Sequence, residues 1–429
     1  MKTFKPFVQE MDRLLQSIAR NRHRDEPTID AALDGQAGRE LRRLVPGEDR
    51  YAIGAFFTSS TMAEKAAARL KPILSRGGRV CDPACGAGNL LLACTTLLQT
   101  ACSPRGTIDR WGQLLVGRDT QQVFIEAAKK RLAIAALSRS RETISVLPPD
   151  QELFPRVTSG CGVTNGDYLR DCDAVIVNPP FNRVVAPQGC TWSSGSTNLS
   201  ALFLLECLSH LQARTKVVAI LPDVLRSGAR YEKWRKEIER LAIVDDVEVL
   251  TQFDEHADVH VFMLVLRKRV NPALNIAGDW VSVDSETGCV GDLFNVSVGS
   301  VVDYRHAHCG GWRPFLVAKD LPTWETVREK TRSRRFSGTT VIAPFVVIRR
   351  TSRPEHTHRA VGTIIGGADK WAVENHLLVA KPIDGKYATC QSLLKILKSE
   401  ATSEWLNNAI RCRHLTVSSV RGIPWHKKS

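Results

Sequence analysis

The run Gly78-Arg79-Val80-Cys81-Asp82-Pro83-Ala84-Cys85-Gly86-Ala87-Gly88-Asn89, followed by the apolar segment Leu90–Leu98, decides the fold. It reads as a short strand, a glycine turn and a helix that opens with Asn89 as N-cap. Glycines at 86 and 88 let the backbone come close to a ligand at the helix N-terminus. The turn lacks the Gly-x-Gly-x-x-Gly spacing of dinucleotide folds, and Pro83 enters it instead. Downstream, Leu114–Asp119 reads as a second strand with an acid at its carboxyl end, and the segment from Gln121 to Leu132 as an amphipathic helix. An acid in Asp119's position commonly accepts hydrogen bonds from ribose hydroxyls. A third strand is expected before Asn165-Gly166-Asp167-Tyr168-Leu169, which puts Asp167 beside the ring of a bound nucleoside. This alternation of strand and helix is that of a doubly wound α/β sheet.

Farther along, Asp173-Ala174-Val175-Ile176-Val177-Asn178-Pro179-Pro180-Phe181 reads as a short buried strand ending in a rigid polar corner. Two prolines fix the backbone there and donate no hydrogen bonds, so nearby carbonyls stay free to accept them. Together with the Asn178 amide and the Phe181 ring, such a corner suits a flat ring bearing an exocyclic amino group, as adenine does. Taken alone, the run also reads as a strand that ends in an ordinary proline turn.

In this order, Asp82–Gly88 and then Asn178–Phe181, the chain resembles the S-adenosylmethionine-dependent amino-methyltransferases of DNA. It is most similar to the N6-adenine methylases of bacterial restriction–modification systems, in their gamma arrangement. The resemblance covers roughly residues 50–270. It implies a Rossmann-like methyltransferase sheet, S-adenosylmethionine as cofactor and double-stranded DNA as partner. It also implies pairing with a restriction endonuclease that acts on the same site, and it leaves monomer and dimer both open. In that family a segment before the glycine turn touches the cofactor, and Gly54–Ser60 looks like it, with Phe57 and Thr58 as contacts. The family usually has proline after the threonine, where this chain has Ser59. The cofactor set implied is then Phe57, Thr58, Asp82, Pro83, Ala84, Gly86, Gly88, Asp119, Asp167 and Asn178.

Adenine's amino nitrogen is a poor nucleophile because its lone pair is delocalised into the ring. Acceptors at its N–H bonds favour the pyramidal geometry and stabilise the developing charge. The candidates are the Asn178 side-chain oxygen and the Pro179 carbonyl, with Pro180 holding the turn and Phe181 stacking on a base rotated out of the duplex. By resemblance Phe253 is a second aromatic near that base, although a core or loop phenylalanine is an equal reading of its residues. C5-cytosine chemistry needs a cysteine nucleophile beside the proline loop. Cys172 and Cys190, the nearest, do not occupy that position. N4-cytosine methylation is the closest alternative, but its loop usually begins with serine or threonine. Methylases of RNA or protein glutamine share Asn-Pro-Pro loops, and a catalytically silent DNA-binding relative is the alternative from another class.

At 429 residues the chain has room for two domains with large cores. No apolar stretch is long enough to span a membrane, and the twelve cysteines form no Cys-x-x-Cys pair, which argues for a reducing cytoplasm, so a cytoplasmic protein, rather than a zinc site or a disulfide scaffold. Cys81 and Cys85 read as small packing residues. The net charge of +14 points to a polyanionic partner, and it is unevenly spread. Residues 331–429 hold 17 Lys/Arg against 6 Asp/Glu, whereas 271–330 hold 5 against 8. The excess lies where a phosphate-contacting surface is expected. The reading is therefore an N-terminal helical segment (1–45), a catalytic domain (46–270) and a mixed, β-rich recognition domain (271–429). Arg334, Arg335, Arg349 and Arg350 are its candidate DNA contacts. The long polar loop 182–198 reads as a lid that orders on DNA.

Overall fold

The computed structural model describes residues 2–20, 26–54, 56–140, 144, 146–164, 166–254, 257–273, 280, 288–411 and 413–425. It divides into two compact units, one of residues 1–225 and 232–278, the other of 226–231 and 279–429.

The first unit is built on seven strands: β1 (Val80–Asp82), β2 (Leu115–Asp119), β3 (Val157–Ser159), β4 (Ala174–Val177), β5 (Lys216–Pro222), β6 (Ala242–Asp254) and β7 (Ala257–Lys268). They lie in the order β3-β2-β1-β4-β5-β7-β6. β1 to β5 run parallel, while β7 is antiparallel to both β5 and β6. The Rossmann-like expectation holds. Residues of β1, β4 and β5 are buried on both faces, and their sequences are accordingly continuous apolar runs rather than alternating ones. The order reverses between β1 and β4, the strands that carry the glycine turn and the Asn-Pro-Pro corner. Both loops leave the carboxyl ends of their strands, where open α/β sheets bind ligands.

Helices α1 (Lys5–Arg20), α2 (Ser60–Ala68), α3 (Asn89–Thr95), α4 (Pro104–Leu114) and α5 (Gln122–Ser138) belong to this unit. The segment read as amphipathic extends six residues beyond Leu132 and is buried almost all round, from Val123 to Leu137. α1 covers its outer side with Phe7, Met11, Leu15 and Ile18, so a face expected to meet water meets a helix instead. Residues 2–20 are thus part of the first unit rather than a separate segment. Phe4 and Phe124 stand edge-to-face at 5.2 Å, and Phe124 and Phe57 at 5.1 Å. Full burial of such a ring stabilises by roughly 1.5–3 kcal/mol, so this cluster fixes the wall behind the glycine turn.

The loop predicted as a lid contains a hairpin, Arg183–Val185 paired with Ser196–Asn198, and Trp192 is buried within it. Asn198 caps the following helix, α6 (Leu199–His210), and donates through Nδ2 to the Phe181 carbonyl at 3.3 Å.

The second unit has a five-stranded sheet ordered Phe294–Val298, Leu377–Pro382, Phe345–Arg349, Gly362–Ile365, Thr326–Val327. A four-stranded sheet is ordered Ser333–Arg335, Trp312–Leu316, Lys370–Val373, Val341–Ile342. Within these sheets, Lys370–Val373 and Leu377–Pro382 are joined by a short turn. Three helices then follow: Tyr387–Leu397, Glu400–Ala409 and Val417–Arg421.

Candidate active site

The glycine turn is held by its neighbours. Asp82 Oδ1 accepts from the Ala84 amide at 3.0 Å, Cys85 N–H donates to the Arg118 carbonyl at 2.8 Å, and Gly86 N–H donates to Asp119 Oδ2 at 3.0 Å. Gly86 and Gly88 have φ of +49° and +84°, which side-chain-bearing residues rarely adopt. A Cβ at Gly86 would come within 2.6 Å of the Phe57 ring. Gly88, not Asn89, is the N-cap of α3. The reason is that both ends of the Asn89 amide are otherwise engaged. Its Oδ1 accepts from Arg131 Nη1 at 2.6 Å, and its Nδ2 donates to the Thr58 carbonyl at 2.6 Å.

Thr58 is buried, and its hydroxyl accepts from Asn178 Nδ2 at 3.0 Å. A continuous path of hydrogen bonds therefore runs from Arg131 through Asn89 and Thr58 to Asn178. Ser59, the departure from the family pattern, caps α2 through its side chain and leaves Thr58 in place. The other half of the Asn178 amide, Oδ1, is buried and has no partner. An orphan buried acceptor costs about 1–3 kcal/mol, and the residue that carries it lines a cavity. That cavity, of about 260 Å³, is lined by Phe57, Pro83, Ala84, Gly86, Asp119, Asn178 and Pro180 among others. A smaller one of about 20 Å³ shares Phe57, Ala84, Gly86 and Asn178 with it and adds Thr58, Asp82 and Asn89.

Both acids are short of positive charge. Burial pushes the Asp82 carboxyl up to about 8, opposed by the Ala84 N–H and reinforced by Asp119. Burial likewise raises Asp119, against the N–H bonds it accepts from Gln121 and Gly86. A raised carboxyl couples to folding with a definite sign. Below the ordinary carboxylate range, near pH 4, both states hold the proton. Between about 4 and 8 the unfolded chain releases it while the folded Asp82 keeps it, so stability falls as pH rises, and the fall ends above about 8. Asp82→Asn should flatten that slope, as urea titrations at pH 5 and 8 would show. An unchanged slope would contradict the assignment.

Several expected residues converge: Phe57, Thr58, Asp82, Pro83, Ala84, Gly86, Asp119, Asn178 and Pro180 line the two cavities. Gly88 and Pro179 hold the backbone behind them, and Phe181 is half-buried against the core. Asp167 does not converge. Its side chain is 78% exposed and pairs with Arg170 at 3.3 Å. The wall expected from it is made by Cys161, Gly162 and Val163, just past β3. Thr120, Gln121, Phe124, Leu199 and Phe203 complete the lining and went unread in the sequence. Residues 161–163 carried a usable signal, being the first residues beyond the carboxyl end of a sheet strand. Phe253 falls in β6, but its side chain lies outside the described residues, as does Asn165.

The arginines expected on DNA divide. Arg334 is buried, donating to Asp303 Oδ1 at 2.6 Å and to the His306 carbonyl at 3.1 Å, with its guanidinium over the Phe315 ring. It is a structural cation, because strand alternation turns position 334 inward. Arg349 and Arg350 are half-buried and donate to the Leu321 and Asn375 carbonyls. Arg335 is exposed.

The glycine turn, the Thr58–Asn178 bond and the switch between β1 and β4 make one unit of sequence and geometry. The N-6 DNA methylase family model matches residues 46–276, more than half of the chain. The chain belongs to the N-6 DNA methylase family. This methylase takes a methyl group from S-adenosylmethionine and places it on the exocyclic nitrogen of adenine in DNA.

Among solved structures, the type IIL restriction–modification enzyme MmeI, in complex with DNA, is similar in fold at a TM-score of 0.51 and 13% identity. The match covers 91% of this chain and 71% of that one. A class I S-adenosylmethionine-dependent methyltransferase from Listeria monocytogenes matches at 16% identity and a TM-score of 0.38, covering 64% of the methylase and 91% of that chain. A modification subunit of a type I restriction enzyme from Vibrio vulnificus matches at 18% and 0.38, covering 55% and 49%. The methylase thus spans about half of that subunit's length. No curated protein matches it closely enough in sequence to count.

The residues present fit the cofactor. The two buried acids without a countercation suit a ligand that carries a sulfonium, an ammonium and ribose hydroxyls. The partnerless Asn178 oxygen suits an N–H donor. Among the described residues no cluster of His, Cys, Asp or Glu is arranged to hold a metal, and no helix is long and apolar enough to cross a membrane.

Proposed function

We propose that this methylase modifies adenines within a short sequence of duplex DNA, as the modification activity of a restriction–modification system. The observation that carries the reading is the Asn178 side chain, with Nδ2 held by Thr58 and Oδ1 buried without a partner at the cavity wall. The amide is thereby fixed in one orientation at the lining of the cavity, with its acceptor left unpaired.

The cofactor, when bound, supplies an electrophilic methyl group on a sulfonium. Asp119 would hold ribose hydroxyls, and Asp82 with the turn 83–88 the remainder. Phe57 and Phe124 form the apolar wall. Asn178 Oδ1 and the Pro179 carbonyl would accept from the two N–H bonds of adenine and favour the nucleophilic lone pair. Phe181 would stack on the rotated base, which positions the nitrogen without covalent chemistry from the protein. The arrangement includes no nucleophilic thiol at the corner, since the buried Cys172 lies before β4 and Cys190 in the hairpin loop.

Expression in a methylation-free bacterial host, with direct detection of modified bases in the genome, tests this. N6-methyladenine confined to one short motif is expected. Modified cytosine would move the assignment to N4-cytosine methylation, and an unmodified genome with soluble, cofactor-binding protein would contradict a DNA substrate.

A further inference from the structure

The glycine turn, the Phe57–Phe124 pair and the run Cys161–Val163 all line the cofactor cavity. The first two are held by regular structure and by packing. The run 161–163 lies in no helix or strand, so its place depends on what grips it. Gly162 is buried with its backbone pressed on Pro83, and an added Cβ would lie 1.7 Å from the Pro83 carbonyl oxygen. Gly160 N–H, just before the run, donates to the Asp119 carbonyl at 2.8 Å. A third tie comes from a side chain: Tyr168 Oη donates to the Gly162 carbonyl at 2.6 Å.

Tyr168 is itself firmly placed. The Arg118 guanidinium lies over its ring, 4.9 Å from the centroid, Cys172 Sγ donates to its carbonyl at 3.4 Å, and Leu169 beside it is fully buried. Arg118 stands next to Asp119 at the end of β2, and its carbonyl accepts from Cys85 N–H in the glycine turn. One strand end therefore holds the turn, carries Asp119 and, through Tyr168, steadies the run 161–163. Burial pushes the Tyr168 hydroxyl well above the ordinary tyrosine range, so it keeps its proton and stays a donor. Its neighbour Asp167 is exposed and pairs with Arg170. Both sit in the 3-10 turn Gly166–Leu169, where successive side chains leave about 120° apart. The turn that presents Tyr168 to Gly162 carries Asp167 away from it.

We propose that Tyr168 is a positioning residue for the cofactor: by holding Gly162 it sets the wall Cys161–Val163 against which the nucleoside packs, in place of a direct contact from Asp167. Asp119 is the candidate for the ribose hydroxyls, and the wall starts one residue after the bond from Gly160 to Asp119. The base on that ribose would pack there. The inference rests on reading this cavity as the cofactor site and adds the residue that shapes its nucleoside end.

The test compares wild type, Tyr168→Phe and Asp167→Ala. It measures dissociation constants for S-adenosylmethionine and S-adenosylhomocysteine by calorimetry, kcat and KM with unmethylated genomic DNA, and thermal melting. Tyr168→Phe keeps the ring beneath Arg118 and removes one hydrogen bond to a buried carbonyl. It should weaken both ligands by about threefold to tenfold. The two losses should match, because the ligands share the nucleoside. KM for the cofactor should rise in proportion while kcat stays as in wild type, the pattern of lost uniform binding. Asp167→Ala should match wild type throughout. Wild-type affinity in Tyr168→Phe would overturn the proposal, as would a fall in its kcat at unchanged KM. A loss in Asp167→Ala as large as that in Tyr168→Phe would return the role to the acid. Calorimetry needs no methyl acceptor, so it tests Tyr168 even where the DNA reading fails. Wild-type protein that binds neither ligand would instead overturn the reading of the cavity, and the proposal with it.

Discussion

Asn178→Ala is expected to lower the turnover number by about a thousandfold, while the dissociation constant for S-adenosylmethionine stays within about threefold of wild type. The size follows from what the side chain does at rest and in the reaction. At rest Oδ1 is buried and partnerless, so the protein carries the cost of desolvating it before adenine arrives. In the transition state the amino nitrogen becomes positive and its N–H bonds strengthen to that waiting acceptor, with no water to reorganise. Alanine removes the acceptor and leaves the Asp82–Gly88 turn and Asp119 untouched. Asn178→Asp keeps an acceptor at the same place, and the Thr58 hydroxyl can reverse its role and donate to it. That variant should retain measurable turnover. Single-turnover methylation with labelled cofactor separates the cases, and wild-type turnover in Asn178→Ala would sink the assigned role.

Arg131→Met should destabilise the catalytic unit by about 3–5 kcal/mol, the usual range when one partner of a buried charged network is removed. Arg131 is fully buried in α5, and burial draws its pKa down to about 9, so it remains charged at neutral pH. It donates to the Ala32 carbonyl at 2.9 Å, the Ala87 carbonyl at 2.6 Å, Asn89 Oδ1 at 2.6 Å and the Leu33 carbonyl at 3.3 Å. Methionine fills much of the space but satisfies none of these acceptors, each of which then costs its own desolvation. Two of them belong to the glycine turn and the residue after it. Asn89 in turn holds Thr58, which holds Asn178. The variant should therefore lose turnover as well as stability, even though Arg131 lies outside the cavity. Arg131→Lys should recover part of the stability. Urea titration of the purified protein reads the effect, and an unchanged midpoint in Arg131→Met would contradict it.

Arg131 also shows where the sequence stops being legible. Lys129-Lys130-Arg131 looks like the solvated stripe of an amphipathic helix. Only the arrival of α1 and of the 26–33 helix over α5 turns that stripe inward, and those contacts are long-range. Arg334 repeats the case in a strand. Its neighbours Arg332 and Arg335 made an exposed basic run, yet strand alternation buries every second residue.

The site was more legible, because its parts are local. Asp82–Gly88 and Asn178–Phe181 each specify a strand end and a turn through glycine and proline chemistry, and the parallel sheet brings the two turns together. Asp167 failed for a related reason. A whole-segment motif placed the third wall at 165–169, whereas the sheet places at the cavity whatever immediately follows β3, which is Cys161–Val163. The Asn89 amide was read as a cap from its residue type alone. Its actual partners, Arg131 and Thr58, are 42 and 31 residues away in the chain and invisible to a local rule.

The most direct measurement is the identity of the nucleoside that receives the methyl group. Purified protein would be incubated with labelled S-adenosylmethionine and unmethylated duplex DNA, and the DNA digested to nucleosides and separated. Label in N6-methyldeoxyadenosine for wild type, lost in Asn178→Ala, is the predicted result. Label in N4-methyldeoxycytidine, or none in DNA from protein that binds the cofactor, would contradict the account.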